Sequence, residues 1–148
     1  QDVKTAFGES IKQGKNRFHM TESLILPPVI CSPKEVTAFF YPDSQPNYVT
    51  SGRASGDVLE LKGNVIPENM EEKIILIEGA DPGYDWIFSR GIKGFITMYG
   101  GANSHMAIRA GELSIPAAVG VGAKLYESVR LAKAVEIDAG GRMIRIIR

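Results

Sequence analysis

Two hydrophobic periods run along the chain. Ile74 to Ile77 and Gly94-Phe95-Ile96-Thr97-Met98 are short, almost uninterrupted apolar runs rich in β-branched and aromatic residues, the pattern of buried strands. Ala117 to Val119 lacks polar residues, as a central strand does. Val49 to Ala54 and Asp57 to Leu61 read as short strands separated by Ser55-Gly56, and Lys62-Gly63-Asn64 turns the chain. Ala107, Ile108, Ala110 and Leu113 instead fall at helical spacing, with Asn103 or Ser104 as N-cap and Pro116 ending the pattern. Asp81-Pro82 opens a further helix, and Lys124 to Leu131 forms another. Ala134 to Ile137 and Met143 to Ile147 flank Ala139-Gly140-Gly141 as a closing hairpin, in which Ile144 and Ile146 face opposite to Arg145.

The first 48 residues read differently and are expected to be a connector, with the main domain spanning 49–148. Val3 to Met20 mixes apolar residues with Lys4, Lys12, Lys15 and Arg17 and predicts a helix. Leu24 to Pro33 is held extended by its prolines. Ser32-Pro33 then starts a second helix running to Phe39 or Phe40, and Tyr41 to Asn47 is a turn-rich loop. A hinge toward an upstream domain and a terminal structural decoration are equally open readings of this leader.

Composition narrows the classes. The chain has 148 residues, 44% hydrophobic and 23% charged, enough for one modest core. Basic and acidic residues balance at 17 each, which gives no electrostatic case for nucleic acid or an anionic membrane. Neither Leu24 to Cys31 nor Ile115 to Ala123 approaches the roughly 18 apolar residues of a membrane span, and both contain proline. Gln1 to Met20 lacks the apolar core of a secretory signal. The solitary Cys31 rules out an internal disulfide and a cysteine-built metal site, and fits a cytoplasmic setting.

Candidate chemistry concentrates where the second strand turns into the helix, at Gly100-Gly101-Ala102-Asn103-Ser104-His105-Met106-Ala107-Ile108. Paired glycines can take positive φ and let a ligand approach the backbone, while the first N–H groups of a helix are unpaired and favour anions. A neutral imidazole placed there is a competent nucleophile near neutral pH and can carry a phosphoryl group covalently. The helix dipole disfavours the imidazolium and favours the attached phosphoryl group, each by roughly 0.3–1 kcal/mol at an exposed end. No Walker-type phosphate loop occurs, so a phosphoryl donor is expected in a different part of a longer polypeptide.

The segment Gly100-Gly101-x-Asn103-x-His105-x-Ala107-Ile108-x-Ala110-Gly111, followed by Ile115-Pro116-Ala117-Ala118-Val119-Gly120, resembles the phosphohistidine signature of the phosphoenolpyruvate-utilising enzymes, a family that includes phosphoenolpyruvate synthase and pyruvate phosphate dikinase. The resemblance extends upstream through Ile74 to Ile77, Asp81 to Phe88 and Gly94 to Thr97, and downstream into Val135 to Gly141. It implies an α/β fold, the mobile, swivelling β/β/α phosphohistidine domain, here with an N-terminal helical and extended connector. It also implies that His105 takes a phosphoryl group from ATP, or from phosphoenolpyruvate in reverse, and delivers it to an acceptor such as pyruvate. The partners would be a nucleotide-binding domain, which holds Mg and ATP, and an acceptor-substrate domain of the same polypeptide. No cofactor or metal is expected in this domain.

Gly100, Gly101, Asn103, Ser104 and Arg109 are the candidate supporting residues. Asn103 stands where relatives often carry threonine, and its side chain is able to orient the ring or contact a phosphoryl oxygen. Met106 replaces a usually small residue, and Arg109 replaces an aliphatic one. Arg109 lies one turn after His105 and either pairs with phosphate or is a solvated surface arginine. Gly111 inside a helix costs roughly 1 kcal/mol against alanine and suggests close packing or a bend. His19, without glycine turn or metal-ligand spacing, reads as a helix-surface residue. Glu78, Asp81 and Asp85 read as structural acids around a helix start. A noncatalytic phosphate- or nucleotide-binding module, and a docking domain in which His105 merely caps a helix, are the competing function classes.

Overall fold

The computed structural model describes residues 3–22, 45–63 and 66–147. The chain divides into two compact units, Gln1–Pro42 and Asp43–Arg148. The first contains α1 (Val3–Glu22), a helix two residues longer than the sequence pattern suggests. Val3, Phe7, Ile11 and Phe18, spaced for one helical face, are all exposed. The expected extended stretch at Leu24 to Pro33, the helix at Ser32 to Phe40 and Cys31 lie outside the described residues.

The second unit runs β1 (Asn47–Val49), β2 (Arg53–Glu60), β3 (Ile74–Gly79), a 3-10 helix (Pro82–Arg90), β4 (Gly94–Tyr99), α2 (His105–Glu112), β5 (Ala117–Val119), α3 (Gly122–Arg130), β6 (Ala134–Asp138) and β7 (Met143–Ile147). One seven-stranded mixed sheet has the order β1-β5-β4-β3-β2-β6-β7. Its centre is parallel: β2 with β3, β3 with β4, and β4 with β5. Antiparallel pairs close both sides, with β1 on β5 at one edge and β2, β6 and β7 at the other.

The apolar runs form the central strands because both sheet faces are covered. On one face Ile75, Ile77, Phe95, Ala117 and Val119 pack with Ile87, Met106 and Ala110. On the other, Ile74, Leu76, Ile96 and Ala118 pack with Tyr126, Val129, Val135 and Ile137. Alternate residues of β3 therefore serve two cores, and each fully buried large side chain contributes roughly 1.5–3 kcal/mol.

Two local expectations are corrected, and the helix opened by Asp81-Pro82 gains a type. Ser55-Gly56 does not break the chain: β2 runs through it, with Gly56 opposite Val135. A Cβ at Gly56 would lie 2.6 Å from the carbonyl oxygen of Glu72, so the glycine permits close approach of a neighbouring loop rather than a turn. The helix expected from Asp81-Pro82 is present and is of the 3-10 type. Its period of three places Tyr84 and Ile87 one above the other against the first core. Asp81 caps it by accepting from the Gly83 N–H at 2.6 Å, and Gly91 ends it at φ 66°. Finally, Val49 to Ala54 is not one strand: β1 ends at Val49, Thr50 turns the chain at φ 70°, and β2 starts at Arg53, while pairing begins earlier, with Asn47 and Tyr48 in register with Val119 and Ala118.

Candidate functional site

The site is built where β4 leaves the sheet. Gly100 takes φ 131°, and a Cβ there would lie 2.6 Å from the Ala80 Cβ and 2.9 Å from Val119 Cγ1. The chain can turn at this point only because the residue has no side chain. Gly101 has no such requirement: it has no positive φ, and a Cβ on it would meet nothing within 4 Å. The paired glycines of the sequence thus divide into one that makes the turn and one that is conformationally ordinary. Buried Thr97 fixes the turn from below. Its hydroxyl donates to the Tyr99 carbonyl at 2.8 Å and accepts from the Gly120 N–H at 3.0 Å, joining the ends of β4 and β5.

Ser104, not Asn103, is the N-cap of α2. It is extended at φ −68°, ψ 152°, and its Oγ accepts from the Ala107 N–H at 3.4 Å. His105 is the first residue of the helix. The N–H groups open to an anion at this end are correspondingly fewer, because the Ala107 N–H is capped and Met106 is fully buried. The residues that α2 buries are Met106, Ala107 and Ala110, whereas Ile108 and Leu113 are exposed. Met106 anchors the first turn in the core and leaves His105 beside it at the surface. Gly111 does not serve a close approach: a Cβ there would make an ordinary 3.8 Å contact with Val49 Cγ1.

The His105 side chain is 44% exposed. Its Nε2 lies 3.0 Å from Asp85 Oδ1, and the same oxygen accepts from Arg109 Nε at 3.3 Å. Arg109 also donates through Nη1 to Glu112 Oε2 at 2.6 Å. The bond with His105, helped by the Arg109 charge, holds the Asp85 carboxyl below the ordinary carboxylate range. Asp85 is therefore a carboxylate near neutral pH, and the imidazole donates its Nε2 proton to it. One carboxylate, Asp85, thus reaches both His105 and Arg109, and Arg109 reaches on to Glu112.

Sequence reasoning treated Asp85 as a structural acid; the fold makes it the partner of the candidate nucleophile. Asp81 keeps the structural role expected of it. Arg109 stays partly exposed and pairs with two carboxylates, Asp85 and Glu112. Asn103 is exposed and makes no side-chain hydrogen bond among the described residues, so the ring takes its orientation from Asp85. No local signal marked Asp85, which stands 20 positions before the histidine. His19 lies on exposed α1 with its ring centroid 6.4 Å from that of Phe18, consistent with the surface position expected of it. Among the described residues no group of three or more His, Cys, Asp or Glu side chains is placed to hold a metal ion, and no helix is long and apolar enough to cross a membrane.

Residues 69–141 match the family described as PEP-utilising enzyme, mobile domain. The chain is 35% identical over 118 residues to a rifampicin phosphotransferase of Bacillus cereus. That alignment covers 75% of this chain, which spans 14% of the relative's length. The fold is similar to a solution NMR structure of a UPF0107 protein, with a TM-score of 0.56 at 16% identity, covering 71% of this chain and 98% of that one.

Proposed function

This chain belongs to the PEP-utilising enzymes, as their mobile domain, and we propose that it carries phosphoryl groups on His105. The carrying observation is a half-exposed imidazole on the first residue of α2, delivered by a glycine turn and placed one helical turn from Arg109. A ring nitrogen attacks the phosphorus of the donor. The bond from phosphorus to the bridging oxygen breaks, and its electron pair leaves on the departing phosphate oxygen. In the second half, an acceptor oxygen attacks phosphorus and the P–N electron pair returns to the imidazole. Neither half needs a side chain that is absent from the site, provided donor and acceptor are presented by other domains.

ATP with Mg, held by a nucleotide-binding domain of the same polypeptide, is the proposed donor, with phosphoenolpyruvate serving in the reverse direction. The proposed acceptor is a small molecule such as pyruvate bound in a further domain of a phosphoenolpyruvate synthase- or dikinase-like, cytoplasmic phosphotransferase. The similarity to a phosphotransferase supports phosphoryl transfer as the reaction class. Residues 1–48 would then act as the connector.

The test is incubation of the intact polypeptide bearing this chain with labelled ATP and Mg²⁺. The carrier role predicts acid-labile, base-stable label on His105 that disappears in His105→Ala. Label that persists in the variant, or nucleotide binding without covalent label, overturns it and favours a noncatalytic phosphate-binding module.

A further inference from the structure

One oxygen, Asp85 Oδ1, lies within hydrogen-bonding reach of both His105 Nε2 and Arg109 Nε, at 3.0 and 3.3 Å. A nucleophile and a cation one helical turn apart are the two groups that an anion on the histidine would engage. In this structure a carboxylate engages them instead. We propose that Asp85 is a stand-in for the phosphoryl group: its carboxylate occupies the place of a phosphoryl oxygen between His105 and Arg109, and must give way before His105 is loaded. The proposal deepens the carrier reading and rests on it.

Sterics and proton bookkeeping both support competition. A contact of 3.0 Å between Nε2 and Oδ1 is a direct hydrogen bond, and it leaves no room between them for a phosphorus atom. While Nε2–H donates to Asp85, the Nε2 lone pair is not available for attack. Release of the contact lets the proton pass through water to Nδ1. Nε2 then attacks phosphorus, the bond to the donor's leaving group breaks, and its electrons depart with that group. Electrostatics point the same way. An incoming dianion meets Asp85 and Glu112, both already sharing the single guanidinium of Arg109. Moving Asp85 aside removes one repulsion and frees Arg109 Nε for the newly attached group. The opposite arrangement, a carboxylate that assists by steadying an imidazolium, predicts the opposite response to its removal.

Phosphoramidate, a small phosphoryl donor that reacts with histidine directly and needs no partner domain, separates the two. The full chain would be treated with it and phosphohistidine followed at His105 and at His19, which serves as internal reference on exposed α1. In Asp85→Asn, which keeps the side-chain shape, and in Asp85→Ala, which removes the acceptor, loading of His105 relative to His19 is expected to rise about fivefold, the scale of one partly solvated charge contact. Amide spectra of the same samples confirm that the fold persists, so that unfolding is not read as release. An unchanged or lowered ratio in the folded variants overturns the proposal. The carrier reading fails by a different result, ATP-derived label that survives His105→Ala.

Discussion

Gly100 and Gly101 look equivalent in sequence, yet the structure assigns them opposite responses to the same change. In Gly100→Ala the new methyl group sits at φ 131°, 2.6 Å from Ala80 Cβ and 2.9 Å from Val119 Cγ1. A backbone conformation that L side chains rarely adopt costs roughly 1–3 kcal/mol. Overpacking against two side chains adds about 1–3 kcal/mol, since Val119 is fully buried in the first core and cannot move freely. The total, roughly 2–6 kcal/mol, is a large part of the 5–15 kcal/mol that holds a typical domain together. In Gly101→Ala the methyl group meets nothing within 4 Å and φ is unremarkable. Restricting the unfolded chain should then stabilise the protein by about 0.4–1 kcal/mol. The two variants should therefore differ by at least about 2.4 kcal/mol, or roughly 10 °C in melting temperature at about 4 °C per kcal/mol. Urea unfolding followed by circular dichroism, together with thermal melts, measures the difference directly. If the variants lie within about 0.5 kcal/mol of one another, or if Gly101→Ala is the weaker protein, the turn does not depend on Gly100 as argued.

Two further predictions concern stability. Gly111→Ala should raise the melting temperature, by up to roughly 1 kcal/mol of added stability, because the position is helical and the methyl group gains an ordinary contact with Val49; a fall in thermal melts would show that close packing exists there after all. Asp138 is buried, accepts from the Gly141 N–H at 2.8 Å and pairs with Arg53 at 2.8 Å, and these hold its carboxyl below the ordinary range, the Gly141 bond foremost. Its stabilising contribution is fully present above the unfolded carboxyl value near 3.9 and is lost as pH falls through the lower folded value. Asp138→Asn should thus be less stable than the parent at pH 7, and the gap in urea midpoints should narrow on acidification toward pH 3; a gap independent of pH refutes this assignment.

What the sequence disclosed was local. Ile74 to Ile77, Gly94 to Met98, Ala117 to Val119 and the closing hairpin were readable because strands buried on both faces need no partner information to be recognised: their apolar runs suffice. The turn, the cap and the place of His105 at the start of α2 were legible for the same reason. What failed depended on neighbours distant in sequence. Gly56 reads as a break unless the approach of Glu72 is known. Of the four apolar residues at helical spacing only Ala107 and Ala110 are buried, with Met106, because the sheet decides which face of α2 is covered and leaves Ile108 and Leu113 exposed. Asp85 and Arg109 acquire meaning only through each other and through His105.

Why those three side chains meet follows from the strand order. β3 and β4 are parallel neighbours, with Gly79 in register with Tyr99, so the chain leaves both strands at the same edge of the sheet. The segment after β3 becomes the 3-10 helix carrying Asp85, and the segment after β4 becomes the glycine turn and α2 carrying His105 and Arg109. Parallel pairing puts the two exits side by side, bridged by the Ala80 N–H donating to the Tyr99 carbonyl at 3.2 Å. Ligands of open parallel sheets bind at the carboxyl ends of the strands for this reason: each strand presents a different loop to one rim. Here one rim holds the proposed nucleophile His105, the Arg109 cation and the Asp85 carboxylate on two separate supports. The carboxylate can withdraw by rotation of its own side chain while the 3-10 helix stays anchored through Ile87 and α2 through Met106, so loading and unloading of His105 need not disturb the core.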